Sequence, residues 1–243
     1  MKKELLIIAG PCAVESREQI IRIAKKLKAL GIEYLRAGAF KPRTNPHSFR
    51  GLGEEGLLYL LEAKRLTGMK IVTEIMSIEQ LNKYGDYIDI IQIGTRNMYN
   101  YELLKALGKV KKPILLKRAF SATYQEWLSA SEYIKLSGNN QVILCERGIR
   151  GFDNSTRNVL DIQAIPYIKY NTNMPIIVDP SHASGHRYMI ESDSLAAVSA
   201  GADGLIIEVH DHPEEALSDK EQAIDINDLS IILDKIKQIK EII

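Results

Sequence analysis

The segment "YLRAGAFKPRTNP", residues 34–46, starts as an apolar strand-like run and then carries Arg36, Lys41 and Arg43, with Pro42 and Pro46 stiffening the chain among them. Three more cations, Arg96, Lys117 and Arg147, stand at or just past the ends of the runs "DIIQIG", "PILLKR" and "QVILCE", which otherwise read as buried. Unpaired charge at such positions is costly, so these side chains need an anionic partner. Guanidinium groups suit bidentate binding of phosphate or carboxylate, and lysine adds a compact point charge. A second set is Cys12, His182, Glu208 and Asp219. Thiolate, imidazole and two carboxylates form a mixed sulfur, nitrogen and oxygen donor set for a divalent transition metal. Together the two sets describe a metal-assisted reaction between small phosphorylated or carboxylated metabolites.

Taken singly, each residue has an ordinary structural reading. Cys12 is a small buried residue, His182 a hydrogen-bonded group and Glu208 a salt-bridge partner. Asp219, in "ALSDKEQ", caps a helix. Cys145 lies inside a strand and stays in the ordinary class, and His47, His186, His210 and His212 read as rim residues. The functional reading therefore depends on whether the elements bring the sets together.

Eight short apolar runs alternate with amphipathic stretches: "LLIIAG", "YLRAG", "KIVTEI", "DIIQIG", "PILLKR", "QVILCE", "PIIVDP" and "GLIIEV". Their near-continuous apolar character suits parallel strands covered on both faces. Ile20, Ala24, Leu27 and Leu30 line one face of a helix over 17–30, and Leu229, Ile232, Leu233, Ile236, Ile239 and Ile243 line the last one. Glycines in "LGI" (30–32) and "TGMK" (67–70) mark helix ends. Eight strands and eight helices in 243 residues is the size of one α/β domain, a (β/α)8 TIM barrel spanning 1–243. The rival is an open doubly wound sheet, but the first strand lacks the glycine-rich turn of its dinucleotide-binding version. The polar residues favour closure. Metal-type donors fall after strands 7, 8 and 1, which adjoin only in a ring, while the cations fall on strands 2 to 6, the opposite arc.

Composition narrows the classes. With 32 basic against 31 acidic side chains, a net charge of +1, the near-neutral balance argues against a nucleic-acid surface. Two cysteines and no export signal fit a reducing cytoplasm; "MKKELLIIAGPC" imitates a signal peptide, but its apolar run is too short. No run approaches a membrane span.

The chain resembles the 3-deoxy-D-arabino-heptulosonate 7-phosphate (DAHP) synthase family in its compact microbial form. The resemblance runs from "IAGPCAVES" through "RAGAFKPRTNPHSFRGLGEEGL", "QIGTRNMYN", "LLKRAFSAT", "LCERGIRGFDNSTRN" and "VDPSHASG" to "EVH" and "ALSD". It implies a metal-dependent condensation of phosphoenolpyruvate with erythrose 4-phosphate, the first step of the shikimate route. It implies Cys12, His182, Glu208 and Asp219 as ligands of a divalent manganese, iron, cobalt or zinc ion, with Cys12 and His182 also in the catalytic set. It implies Arg36, Lys41, Arg96, Lys117 and Arg147 as the grip on phosphoenolpyruvate, and Arg43 with Thr44 as the holder of the aldose phosphate. Asn45 departs from the serine often found there. Lys117, as a desolvated lysine among other cations, is a candidate proton donor to the reacting enol.

The nearest rival is 3-deoxy-D-manno-octulosonate 8-phosphate synthase, which takes arabinose 5-phosphate and carries an "ANR"-type turn where this chain has "PRT" after Lys41. A non-catalytic barrel sensing phosphometabolites is a second class, since fold alone does not fix function. The first strand begins near Met1 and the last helix ends the chain, which predicts that feedback control, if any, resides in a separate regulatory protein. The family's assemblies suggest a homodimer or homotetramer.

Overall fold

In the computed structural model, which describes residues 4–43, 45 and 47–242, all eight apolar runs are strands. They are β1 (Leu6–Gly10), β2 (Tyr34–Arg36), β3 (Lys70–Glu74), β4 (Ile90–Ile93), β5 (Ile114–Lys117), β6 (Val142–Glu146), β7 (Ile176–Val178) and β8 (Gly204–Glu208). Every pairing is parallel, and the order β1 to β8 closes into a barrel. The closing ladder pairs β1 with β8 from Leu6 opposite Gly204 to Gly10 opposite Glu208. The open-sheet alternative is thereby excluded.

Helices α1 (Arg17–Ala29), α2 (Glu54–Thr67), α3 (Ile78–Tyr84), α4 (Tyr101–Leu107), α5 (Tyr124–Leu136) and α6 (Ala164–Asn171) follow the first six strands. A one-turn helix α7 (Pro180–Ser184) and α8 (Ile190–Ser199) follow β7, and α9 (Ile226–Ile242) follows β8. The extra turn α7 departs from a strict one-to-one alternation. It forms because Asp179 accepts from the His182 N–H and Pro180 is preset for a first helical position.

Local chemistry sets the other boundaries. Ser16 accepts from Gln19 N–H to start α1, and Gly68, left-handed at φ 70°, ends α2 by donating to the Lys64 carbonyl. Ile20, Ala24 and Leu27 are buried as expected, while Leu30 is the C-cap of α1, half-buried against the core. Leu229, Ile232 and Ile236 bury the stripe of α9, Leu233 and Ile239 flank it, and Ile243 lies outside the described residues. No helix among the described residues is long and apolar enough to cross a membrane.

The strand period of two divides the core and also builds the mouth. Ile8, Val72, Ile90, Leu115, Cys145, Ile177 and Ile206 fill the barrel interior, while the alternate positions pack against the helices. Cys145 is thus a core side chain, as its sequence setting implies. Two residues past the interior positions of β3 to β8, the same inward direction gives Glu74, Gln92, Lys117, Arg147, Asp179 and Glu208, while two past Ile8 stands Gly10. Arg36 likewise stands two residues past Tyr34. An apolar layer therefore supports a polar layer at the carboxyl ends of the strands, where barrel active sites are built.

Candidate active site

A cavity of about 300 Å³ opens at this end, lined by Cys12, Arg36, Lys41, Arg43, Arg96, Lys117, Arg147, His182 and Asp219 among others. Glu208 is buried beneath it, at 1% exposure. Thr44 lies outside the described residues. Every other expected site residue converges on this one mouth.

Cys12, His182 and Glu208 each offer a donor atom, all within 4.8 Å of one another. His182 Nδ1 donates to Asp179 Oδ2 at 2.8 Å, which turns Nε2 toward Glu208 Oε1 at 3.3 Å. Burial holds the imidazole down at about 4, against the pull of Asp179 and Glu208, so it is neutral and able to ligate at neutral pH. Burial opposes ionisation of Glu208, but His182, Arg36 and Lys41 outweigh it and hold its carboxyl at about 2. Burial, with the Glu208 charge adding to it, pushes the Cys12 thiol up to about 12. Without a bound cation this sulfur is a thiol, donating to Asp219 Oδ2 at 3.0 Å and accepting from Lys41 Nζ. A neutral imidazole, an ionised carboxylate and a thiol beside an ammonium fit a divalent ion, which would displace the thiol proton on binding. Asp219 touches this trio only through Cys12. Its carboxylate also accepts from Ser218 Oγ at 2.9 Å and is held by Lys41 at 3.5 Å, Arg43 at 3.1 Å and Arg157 at 3.5 Å. Its backbone is left-handed at φ 56°, a conformation aspartate tolerates better than most residues. A further group, His212, Glu214 and Glu215, lies exposed on the surface.

The cations are not confined to the opposite arc, contrary to expectation. Arg36 Nη1 donates to Glu208 Oε1 at 2.5 Å and to the Pro11 carbonyl at 3.2 Å, and Lys41 reaches both the carbonyl and the sulfur of Cys12. The reason is topological: β2 is the neighbour of β1, so its cations stand against the donors of β1 and β8.

Deeper in the cavity, Arg147 is 2% exposed and donates to two backbone carbonyls, Gly148 at 3.2 Å and His182 at 2.8 Å, rather than to a carboxylate. Burial drives its guanidinium down to about 10. The ring of Phe120 lies 4.9 Å from the Arg147 guanidinium and 5.5 Å from that of Arg96. An aromatic face steadies cations without neutralising them, which leaves the charge of Arg147 for an incoming anion. Lys117, expected among other cations, also has a carboxylate partner, since its Nζ is ion-paired with Asp179 Oδ2. His210 is also corrected: it is buried at 3% exposure, beside Gln19 and Glu15, and is not a rim residue.

Three site residues escaped the sequence reading. Glu74 ends β3 with its carboxyl raised by burial, against the cations around it, and Oε1 has no hydrogen-bond partner among the described residues. Only a glycine at 94 leaves it room, since a Cβ there would stand 2.2 Å from that oxygen. Asp179 anchors His182 and Lys117, and Arg157 reaches the mouth from the β6–α6 connection. Glu74 and Asp179 obey the period-two rule and were readable from it; Arg157 carries no local signal.

A closed barrel whose carboxyl-end mouth joins a candidate metal-donor trio to a basic cavity defines an enzyme built for anionic substrates. The chain belongs to the DAHP synthetase I family, whose model matches residues 2–243. It is 50% identical over 235 residues to phospho-2-dehydro-3-deoxyheptonate aldolase of Thermotoga maritima, an alignment covering 97% of this chain and 70% of that protein. A crystal structure of the DAHP synthase from that organism superposes with a TM-score of 0.93 at 50% identity, covering 98% of this chain and 69% of the other. A truncated form of 3-deoxy-D-arabino-heptulosonate 7-phosphate synthase, also from Thermotoga maritima, gives 0.91 at 48% identity, covering 98% and 87%. The 2-dehydro-3-deoxyphosphooctonate aldolase of Geobacter sp. strain M21 is 31% identical over 260 residues, covering 99% and 94%.

Proposed function

We infer that the chain is a 3-deoxy-7-phosphoheptulonate synthase, a transferase that condenses phosphoenolpyruvate with erythrose 4-phosphate to give DAHP and inorganic phosphate. The observation that carries this reading is the meeting, in one cavity, of the Cys12, His182 and Glu208 trio with a buried guanidinium, Arg147, whose hydrogen bonds among the described residues go to carbonyls. The choice of the seven-carbon product rests on 50% identity to the heptonate enzyme against 31% to the octonate enzyme. It rests also on Pro42 and Arg43 in the turn after Lys41.

In this reading Arg96, Lys117 and Arg147, with Arg36 and Lys41, grip the carboxylate and phosphate of phosphoenolpyruvate. Neutralising both groups removes the repulsion that a second phosphorylated substrate would meet. Arg43, with Thr44, receives the aldose phosphate. Cys12, His182 and Glu208 hold a divalent ion, with Asp219 as the neighbouring fourth donor, and the ion supplies Lewis acidity toward a carbonyl oxygen. Carbon 3 of the enol phosphate then bonds to the aldehyde carbon while positive character grows at carbon 2. Lys117 Nζ, held by Asp179 beside the reacting enol, supplies the proton that the aldehyde oxygen takes up as it becomes a hydroxyl, and the water that adds at carbon 2 returns one. The unpartnered Oε1 of Glu74 accepts a hydrogen bond from the water that adds at carbon 2, and loss of phosphate from the resulting hemiketal completes the turnover. A homodimer or homotetramer is part of the reading, to be checked by light scattering.

Initial rates of phosphate release from phosphoenolpyruvate, with erythrose 4-phosphate and arabinose 5-phosphate compared, test the assignment. A preference for arabinose 5-phosphate would replace it with the octulosonate reaction. No release from metal-replete protein would leave the sensing barrel as the reading.

A further inference from the structure

Arg157 is not among the residues read for phosphate binding, yet it lines the active-site cavity. Its position is built, not incidental. The Arg157 N–H donates to the Ser184 carbonyl and the Asn158 N–H to the Ala183 carbonyl, both at 2.9 Å, and Asn158 Nδ2 donates to the His182 carbonyl at 3.0 Å. The β6–α6 connection is thus docked along α7, the helix that carries His182. Gly185, at φ 74°, permits the approach: a Cβ there would stand 2.7 Å from that of Arg157.

The side chain is held as deliberately. Arg157 Nη1 donates to Gln222 Oε1 at 2.7 Å, while Gln222 Nε2 donates to Glu208 Oε2 at 2.6 Å. The same Nη1 stands 3.5 Å from Asp219 Oδ1, and Arg43 Nη1 approaches the other oxygen, Oδ2, at 3.1 Å. Two guanidinium groups, one from the β2 side of the mouth and one from the β6 side, therefore straddle a single carboxylate. With Lys41 also within 3.5 Å, one negative charge stands among three positive ones, which leaves a positive surplus. Each arginine meets Asp219 through Nη1 alone, although a guanidinium carries five donors. Both are more open to solvent than Arg147 and Lys117 on the cavity floor, so the pair marks a second, outer anion position.

We propose that Arg157 and Arg43 form a two-guanidinium clamp on the phosphate of the aldose phosphate, with Gln222 as the residue that positions Arg157. The clamp rests on the reading above that the second substrate is a phosphorylated aldose. It accounts for two arginines converging from opposite strands, since a phosphate dianion offers three oxygens to opposed planar donors.

Steady-state kinetics at saturating metal test the clamp on Arg157→Met and Arg157→Lys, with circular dichroism and thermal melts verifying the fold. For Arg157→Met the KM for erythrose 4-phosphate should rise at least about tenfold, a loss of about 1.4 kcal/mol. The KM for phosphoenolpyruvate and the directly titrated metal affinity should stay within about twofold, and Arg157→Lys should recover part of the loss. An unchanged KM for erythrose 4-phosphate in both variants overturns the clamp. So does an equal loss of phosphoenolpyruvate or metal binding, which would show that Arg157 acts through Asp219. A wild-type protein that turned over no erythrose 4-phosphate would overturn the functional reading instead.

Discussion

Lys117 Nζ and His182 Nδ1 donate to the same oxygen, Oδ2 of Asp179. A cation of the proposed phosphoenolpyruvate site and an imidazole of the donor trio thus share one buried carboxylate. Asp179 is held well below the usual carboxylate range: burial opposes its charge, but His182 and Lys117 prevail. Its other oxygen accepts the His182 N–H, fixing the start of α7.

Replacing Asp179 by asparagine should therefore damage both halves of the site. The amide keeps the shape but supplies only one acceptor oxygen and removes the charge that orients both donors. Loss of such a carboxylate behind a ligating histidine typically lowers metal affinity about 10- to 100-fold. Competition titration with a metal indicator measures this apart from turnover. Unchanged affinity would assign Asp179 to helix capping alone.

Arg147 offers a contrast between stability and binding. Its guanidinium is held down from 12.5 to about 10 by burial, equivalent to about 3 kcal/mol against the charged form. Arg147→Met relieves that penalty. We expect the ligand-free melting temperature to hold or rise, where truncating a large buried side chain usually costs about 2–5 kcal/mol. The KM for phosphoenolpyruvate should rise at least about tenfold. A clear loss of stability with unaltered KM would contradict an anion-binding role.

Glu74→Gln separates binding from chemistry. The glutamine fills the same space beside Gly94 but exchanges an unpartnered carboxylate oxygen for an amide. The expected result is a kcat lowered at least about tenfold with a KM for phosphoenolpyruvate within about threefold, the signature of an interaction used mainly in the transition state. Equal kcat would remove Glu74 from the water-binding role.

Outside the site, Asp193 predicts a pH effect on stability. Burial raises its carboxyl from 3.8 to about 6, with a Ser184 hydrogen bond opposing, and Oδ2 has no partner among the described residues. Because the folded state prefers the protonated acid, its contribution is fully present below about pH 4 and is lost as the pH rises through about 6. Asp193→Asn avoids that loss. Its advantage over wild type should grow from near pH 4 to a plateau of about 1–3 kcal/mol above pH 7. Urea midpoints at pH 4.5 and 7.5 measure the difference; a pH-independent gap would show that Asp193 does not titrate in this window.

Much of this architecture was legible in the chain. The strands were readable because each apolar run is buried on both faces, and Lys117 and Glu208 because a charge closes such a run. Glu74 and Asp179 were overlooked inside "KIVTEI" and "PIIVDP", where their polarity was absorbed into a strand instead of being followed two residues past Val72 and Ile177. Arg157 could not be found that way. Its placement depends on backbone bonds to Ser184, 27 positions further along, and those exist only once α7 has formed. The interleaving of Arg36 and Lys41 with the donor trio follows from β1 lying between β2 and β8, a consequence of closure that reading strand by strand conceals.

The most direct measurement is anomalous diffraction from crystals grown with Mn²⁺ and phosphoenolpyruvate. One buried manganese peak bonded to Cys12 Sγ, His182 Nε2 and a Glu208 oxygen, with the phosphoenolpyruvate phosphate and carboxylate against Arg96, Lys117 and Arg147, is the predicted result. Manganese bound elsewhere, or phosphoenolpyruvate lying away from the cation floor, would contradict a single site made by closing the barrel.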